Sequence, residues 1–241
     1  MKKYFLLAAM AAVALVACKP ANPDDEGDGP DDEKEYVQPI KIDGNFDDWS
    51  KLDASKVATA KCNPDAAKNA LKIVKVYADE VYVFVYFEWD KEQTNPVPDV
   101  DHVPFHCYIN GDGKADTGGY GDEFSDACSE LMLEGFIYPD GTAVGSYEPG
   151  CHKWIGDTHG TGWTWEELGA VAGLCAGAGV PGKYEFYIAR ELYPLGKLAD
   201  NFSIGFDIQL DWESVGVLPN AAVTDDNPGG LAPSLQITTV K

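Results

Sequence analysis

The stretch that decides the fold lies between Leu71 and Trp89. It reads Leu71-Lys72-Ile73-Val74-Lys75-Val76-Tyr77, then Ala78-Asp79-Glu80, then Val81-Tyr82-Val83-Phe84-Val85-Tyr86-Phe87-Glu88-Trp89. Both outer runs are rich in β-branched and aromatic residues, and aliphatic and aromatic side chains alternate along the second run. This composition is typical of β-strands, and the short segment between the runs is typical of a turn. The stretch therefore predicts an antiparallel hairpin.

Runs of the same kind recur along the rest of the chain. Further strands are predicted at Val103–Asn110, Glu130–Tyr138, Thr142–Tyr147, Lys183–Ala189, Phe202–Leu210 and Leu235–Val240. Helical periodicity is weak, although Trp165–Ala172 and Glu191–Leu195 are each predicted to form a helical turn or two. Regularly spaced strands without intervening helices predict an all-β fold, an antiparallel β-sandwich of two sheets packed face to face.

Four segments of the chain resemble landmarks of one β-sandwich family. The first, Ile40-Lys41-Ile42-Asp43-Gly44-Asn45-Phe46-Asp47-Asp48-Trp49, is similar to the opening "IDG…DDW" segment of family 9 carbohydrate-binding modules and their DOMON-like relatives. The hairpin around Ala78–Val83 resembles the second landmark, and Lys183–Ile188 and Phe202–Gln209 resemble the last two core strands. The resemblance covers most of residues 38–241 and implies a jelly-roll-like sandwich. It implies the fold first, because this fold also carries haem-binding and non-binding members.

The opening segment of that resemblance also has an explanation in folding alone. Asp43-Gly44 suits a turn, and Asp47 or Asp48 suits the cap of a short helical turn. Trp49 is predicted to plug one end of the sandwich.

The N-terminus has the pattern of an export signal. Lys2 and Lys3 precede an apolar run of thirteen residues from Phe5 to Ala17, which is too short to cross ~30 Å of hydrocarbon as a helix. Leu15-Val16-Ala17-Cys18 matches the bacterial lipobox. Residues 1–17 are therefore predicted to be a lipoprotein signal peptide, and Cys18 the lipidated N-terminus. An ordinary secreted protein is the alternative.

Residues 18–36 are predicted to be an acidic disordered tether, and residues 37–241 a single β-sandwich domain. Between Lys19 and Glu35 the chain holds eight acidic residues and no aromatic or branched aliphatic residue. Such a segment cannot bury enough apolar surface to offset its ordering entropy. Its acidity resembles the surface-export signal of lipoproteins from glycan-degrading Gram-negative bacteria, which implies an outer-membrane anchor facing the cell exterior. A plain solvated spacer is the alternative.

Charge limits the choice of partners. Removal of residues 1–17 leaves 16 basic and 40 acidic side chains, a net charge of −24, and Arg190 is the single arginine. A field of this sign disfavours nucleic acid and anionic surfaces, so the membrane is expected to be contacted through the lipid anchor alone. The predicted partner is a neutral oligo- or polysaccharide, with other surface glycan-uptake proteins as candidate protein partners.

Five cysteines remain beyond Cys18: Cys62, Cys107, Cys128, Cys151 and Cys175. Exported chains meet oxidising conditions, so disulfides are expected among them. Cys151 and Cys175 flank a Gly/Trp-rich insertion and are the preferred pair, and buried thiols are the alternative.

The loop from Asn110 to Asp126 concentrates side-chain oxygens among glycines. A hard cation such as calcium needs several oxygen ligands on a tightly curved backbone. The candidate calcium ligands are Asn110, Asp112, Asp116, Asp122, Glu123 and Asp126. Lys114 interrupts the spacing of an EF-hand loop, and an acidic hairpin loop without a metal is the alternative.

Four tryptophans lie in or beside Gly-rich or polar stretches and are candidates for sugar contact: Trp154, Trp163, Trp165 and Trp212. Aromatic rings stack on the C–H face of a pyranose, while its hydroxyls bond carboxylate and amide groups. Family 9 modules clamp a sugar end between two tryptophans. The resemblance implies Trp212 as one jaw and one of the other three as the second. Each tryptophan taken singly is equally compatible with core packing.

No sequence pattern singles out a catalytic centre. The chain lacks Gly-x-Ser-x-Gly and His-Glu-x-x-His, and no two carboxylates stand out as a glycosidase pair. The sequence therefore predicts a non-catalytic surface lipoprotein that binds carbohydrate and captures polysaccharide. The competing hypothesis is an adhesion or assembly lipoprotein whose sandwich contacts protein. Paired exposed rings near carboxylates would favour the first hypothesis, and buried rings the second.

Overall fold

The computed structural model describes residues 36–94, 103–137, 147, 149–170, 175–192 and 196–241. Residues 38–241 form one compact unit. The strands in the described ranges are β1 (Ala58–Lys61), β2 (Leu71–Ala78), β3 (Tyr82–Trp89), β4 (Val103–Asn110), β5 (Leu131–Ile137), β6 (Gly150–Trp154), β7 (Trp165–Ala170), β8 (Cys175–Val180), β9 (Lys183–Ala189), β10 (Glu191–Leu192), β11 (Gly196–Lys197), β12 (Asn201–Leu210), β13 (Glu213–Leu218) and β14 (Leu235–Thr238). Two 3-10 helices span Phe46–Ser50 and Ala54–Lys56, and one short α-helix, α1, spans Lys91–Thr94.

The strands form two antiparallel sheets that confirm the predicted β-sandwich. Sheet 1 has the order β1-β2-β3-β9-β8. Sheet 2 has the order β13-β12-β4-β5-β6-β7, and β14 shares with β13 the outer edge of β12. A small separate hairpin joins β10 and β11.

The core lies between the inner faces of the two sheets. Val83, Val85 and Phe87 of β3 point into it, and so do Phe105 and its inward neighbours on β4. The rings of Phe87 and Phe105 stack across the two sheets with centroids 4.3 Å apart and an interplanar angle of 6°. Burial of each such ring stabilises the folded state by roughly 1.5–3 kcal/mol. The alternating apolar residues of the hairpin therefore favour this fold.

The N-terminal segment covers the outer face of sheet 1. Ile40, Ile42 and Trp49 are buried there against Phe84 and Tyr86 of β3. Trp49 therefore packs on a sheet face, and the expectation that it plugs an end of the sandwich is wrong. The cap of its 3-10 helix is the neighbouring residue Asn45, whose side chain accepts the Asp47 N–H.

The outer face of sheet 2 is covered only in part. The loop between β4 and β5 places Tyr120 and Phe124 over Tyr108 of β4 and Met132 of β5. Tyr120 stacks on Tyr108 with ring centroids 4.6 Å apart. Trp163 and Trp212 contact the part of this face that carries the candidate site.

Several local expectations are corrected. Trp165–Ala170 is the edge strand β7, because it pairs with β6, and Glu191–Leu192 is a strand of the small hairpin. β1, β6, β8, β11 and β13 have no counterpart among the predicted strands. The expected strand at Thr142–Tyr147 lies, except for Tyr147, outside the described residues.

The predictions about the N-terminus and about the cysteines have different outcomes. The signal peptide, Cys18 and nearly all of the tether fall outside the described residues. The preferred Cys151–Cys175 disulfide is not formed, since both sulfurs are buried thiols that pack with the core. In the described ranges no helix is long and apolar enough to span a membrane.

Candidate functional site

A row of polar side chains crosses the outer face of sheet 2. In the register of the sheet, His106 of β4 lies opposite Asp207 of β12 on one side and opposite Glu134 of β5 on the other. Gln209 lies two residues beyond Asp207 and so shares its face. His106, Asp207 and Gln209 are buried, whereas the Glu134 side chain is 26% exposed. These four residues form a polar floor that is open to solvent at Glu134.

Hydrogen bonds fix the buried half of the polar floor. Asp207 Oδ1 accepts the Ser214 hydroxyl at 2.6 Å, and Asp207 Oδ2 accepts Gln209 Nε2 at 2.8 Å. The same amide nitrogen lies 3.3 Å from His106 Nδ1. The Tyr108 hydroxyl lies 3.1 Å from the same Nδ1. Burial raises the pKa of Asp207, and the nearby His106, Ser214 and Gln209 act against that rise.

Glu134 is the accessible carboxylate of the floor. Its Oε2 lies 3.3 Å from His106 Nε2, and its Oε1 lies 4.0 Å from His152 Nε2. The contact with His106 holds the pKa of Glu134 below its ordinary value, so this carboxylate is ionised at neutral pH. Gln209 Oε1 is buried and completes no hydrogen bond with the described residues. Glu134 is therefore the group of the floor that a polar ligand can reach.

Trp163 lies above the polar floor. It is carried by the loop between β6 and β7, where the Gly162 N–H donates to Asp122 Oδ2 at 2.5 Å. Its indole is 58% exposed, and its ring centroid lies 6.2 Å from that of His106 and 6.3 Å from that of Tyr120. The ring is thus supported by protein and remains open to solvent over more than half of its surface.

Trp212 approaches the same face from the turn between β12 and β13. Its indole is 55% exposed and contacts the Phe136 ring at 5.6 Å, edge to face. Asp211 and Trp212 have φ angles of 50° and 67°. Two-residue hairpins usually fill this left-handed region with Asn-Gly, and a bulky residue there is strained. An exposed, strained aromatic side chain favours a functional role.

The two exposed indoles contact neighbouring positions on the outer face of sheet 2. Trp212 contacts Phe136, whose partner on β4 is Pro104, and Trp163 contacts His106 two residues further along β4. Two residues of a strand span roughly 7 Å. A sugar ring that contacts an aromatic carbon surface at about 3.5–4.0 Å on each side needs roughly 7–8 Å. We call the surface between Trp163 and Trp212, above the polar floor, the tryptophan cleft.

Trp154 and Trp165 pack within the protein. Trp154 is 7% exposed, its indole N–H donates to the Asp157 carbonyl at 3.0 Å, and its ring meets that of Trp165 at 5.1 Å. A side chain at Gly119 or Gly156 would overlap the Trp154 ring. The glycines around this tryptophan make room for a buried ring, so their abundance does not indicate an exposed platform.

The candidate calcium ligands do not converge. Lys68 Nζ binds both carboxylate oxygens of Glu123, at 2.5 and 2.7 Å. Asp126 accepts the backbone N–H and the hydroxyl of Ser234 at 3.0 and 3.1 Å. In the part of the chain that the structure describes, no group of three or more His, Cys, Asp or Glu side chains is arranged to hold a metal ion. The donor set does not fit one calcium shell, and the calcium site stays a prediction that a melting curve with chelator would test.

The tryptophan cleft is an open face and not an enclosed cavity. Two cavities of about 500 and 400 Å³ lie elsewhere, one between β1 and residues 236–241 and the other between the end of β4 and residues 196–199. Neither is lined by an aromatic side chain. The candidate site is therefore identified by its exposed indole rings and not by the size of a cavity.

Sequence reasoning found Trp163 and Trp212 but missed the polar floor. The signal was present in the strands, because Glu134 and Asp207 are charged residues inside otherwise apolar runs. His106 was not among the candidates named from the sequence. On a strand, residues two apart share a face, so His106 lies on the same face of β4 as Tyr108.

No protein-family model and no curated protein matches this sequence. Over 85% of its length the chain is similar to a family 9 carbohydrate-binding module from Caldicellulosiruptor kristjanssonii, solved in complex with cellotriose, with 90% of that chain covered, 12% identity and a TM-score of 0.40.

Proposed function

We propose that this protein binds carbohydrate without catalysis, through the tryptophan cleft. The observation that carries the proposal is the placement of two exposed indoles on one sheet face, beside the partly exposed carboxylate of Glu134. A pyranose ring has apolar C–H faces and polar edges. Its faces can stack on Trp163 and Trp212, and its edges can form hydrogen bonds with the polar floor. The exposure of these rings also favours sugar binding over the protein-contact hypothesis.

The carboxylates of the floor do not suit glycoside hydrolysis. A general acid needs a raised pKa and contact with the leaving group. The pKa of Glu134 is lowered, so this residue lacks a proton to give at neutral pH. The pKa of Asp207 is raised, but both of its oxygens are bonded within the protein and its side chain is 1% exposed.

The cellular role in this proposal rests on the N-terminal sequence. A lipid on Cys18 would anchor the chain in the outer membrane, and residues 18–36 would hold the domain away from the surface facing the exterior. The domain would then capture polysaccharide for neighbouring surface glycan-uptake proteins.

Truncation of the two exposed indoles tests the proposal. We expect Trp163→Ala and Trp212→Ala each to weaken oligosaccharide binding about thirtyfold, since a buried aromatic anchor is worth roughly 2 kcal/mol or more. Titration calorimetry against a panel of oligosaccharides measures the loss. Val180→Ala, which trims an exposed apolar side chain at the far sheet, is the matched control and should bind like the wild type.

A glycine at position 212 separates binding from stability. Because Trp212 has a φ of 67°, Trp212→Gly relieves backbone strain, and the variant should be as stable as the wild type or more so. The same variant should lose sugar affinity. If all three tryptophan variants bind like the wild type, or if no glycan binds the wild type, the site is not the tryptophan cleft and the protein-contact hypothesis gains support.

A further inference from the structure

The charge of the tryptophan cleft points to a class of sugar. We propose that the bound carbohydrate carries protonated amino groups, as oligomers of glucosamine do, and that Glu134 receives one ammonium group. This inference rests on the proposed function, because it takes the tryptophan cleft as the binding site. It replaces the neutral saccharide expected from the sequence.

The polar floor offers one accessible hydrogen-bond acceptor to a ligand, the carboxylate of Glu134. This carboxylate is ionised and its side chain is 26% exposed. His106 Nε2 lies 3.3 Å from Glu134 Oε2. An ammonium group brings three donors and no acceptor, whereas a hydroxyl brings one donor and two acceptor sites. The floor therefore complements an ammonium group better than a hydroxyl, and the charge strengthens the hydrogen bond.

Among the described residues, two further carboxylates accompany the two indoles. Lys68, the lysine that acts electrostatically on the floor, is neutralised by an ion pair with Glu123 at 2.5 Å. Asp122 bonds the Gly162 N–H beside one indole, and Asp211 precedes the other in sequence. A cleft lined in this way concentrates cations and repels uronic or sulfated sugars. The faces of the two indoles also attract an ammonium group within about 6 Å.

The test compares two sugars that differ in charge. The full chain is titrated at neutral pH with the tetramer of glucosamine and with the tetramer of N-acetylglucosamine, which has the same linkage and length but no amine. We expect the amine-bearing tetramer to bind roughly tenfold more tightly or better. That advantage should shrink when NaCl rises from about 0.05 M to about 1 M, because screening shortens to about 3 Å. Binding of the acetylated tetramer should change little with salt.

A pair of variants with the same charge change locates the effect. Glu134→Gln should bring the two tetramers to within about twofold of each other. Glu80→Gln, at the exposed turn between β2 and β3, should keep the full preference. A urea unfolding curve of Glu134→Gln that matches the curve of Glu80→Gln shows that the variant is folded.

The possible outcomes distinguish a failure of the amino-sugar inference from a failure of the proposed function. Equal binding of both tetramers by the wild type, or a preference that survives in Glu134→Gln, overturns the amino-sugar assignment and leaves the cleft in place. If instead neither tetramer loses affinity in Trp163→Ala or Trp212→Ala, the proposed function fails together with the inference.

Discussion

Glu185 of β9 holds the N-terminal segment on sheet 1 through one buried carboxylate. Its Oε1 accepts the backbone N–H groups of Asp43 at 3.2 Å and Gly44 at 3.0 Å, and its Oε2 accepts the Trp49 indole N–H at 2.9 Å. Gly44 has a φ of 78°, which glycine adopts without a Cβ clash. The Asp-Gly pair and the tryptophan of the opening segment therefore supply three donors to one acceptor. This arrangement explains the sequence pattern without a ligand.

Glu185 makes the stability of the fold depend on pH. Burial raises the pKa of Glu185 from 4.5 to about 7, against the opposing effect of its three hydrogen bonds. Between these values the folded chain keeps a proton that the unfolded chain has released. The contribution of Glu185 to the unfolding free energy therefore falls as pH rises across this window and is constant outside it.

Urea unfolding of the wild type and of Glu185→Gln, from about pH 4 to about pH 8, measures this contribution. The glutamine variant loses one acceptor at all pH values but cannot titrate. The difference between the two unfolding free energies should therefore narrow as pH rises through the window. A difference that stays constant would contradict the buried-carboxylate argument.

The strands show where sequence patterns are sufficient and where they are not. β4 and β9 have the predicted bounds. The alternation of side chains in their sequences matches the two-residue period of a β-strand. β8 was missed because its Gly177 and Gly179 carry no strand signal. In the structure a side chain at either glycine would overlap Tyr184 of the next strand. Packing between strands selects these residues, and a local sequence window does not contain that information.

The polar floor was unpredictable for a related reason. His106, Glu134 and Asp207 are far apart in sequence and meet only through the pairing of β5, β4 and β12. The local composition identified four candidate tryptophans, but it could not distinguish the exposed indoles from the buried ones. That separation depends on which face of sheet 2 the loops cover.

Gly205 tests how the loop between β4 and β5 closes over sheet 2. Gly205 lies on β12 opposite Tyr108, and a methyl group there would overlap the buried ring of Phe124. We expect Gly205→Ala to lower the unfolding free energy by about 1–3 kcal/mol, as overpacking does. Gly150→Ala is the matched control, since its new methyl would meet His152 Nε2 at an ordinary 3.5 Å.

Chemical unfolding of both glycine variants gives the comparison. A second change, Phe124→Leu, should recover part of the stability lost in Gly205→Ala, because the smaller side chain leaves room for the methyl group. Equal losses in the two glycine variants would mean that the loop shifts freely and does not close the face.

The two outer faces of the sandwich have different roles. Residues 40–49 lie on the outer face of sheet 1, whereas the tryptophan cleft lies on the outer face of sheet 2. The chain therefore enters the domain on the side opposite the proposed site. Residues 18–36 can span at most about 65 Å when fully extended.

Anchoring in this proposal depends on one sulfur atom. Cys18→Ala removes the atom that would carry the lipid, so the variant should lose fatty-acid labelling and either leave the membrane fraction or fail to mature. Metabolic labelling with a fatty acid, followed by membrane fractionation, measures both effects. Cys62→Ala removes a half-buried thiol of the domain and should remain labelled and membrane-bound. Protease treatment of intact cells should digest the anchored wild type if the domain faces the exterior. A Cys18→Ala chain that is still labelled and membrane-bound would show that the lipid is attached elsewhere.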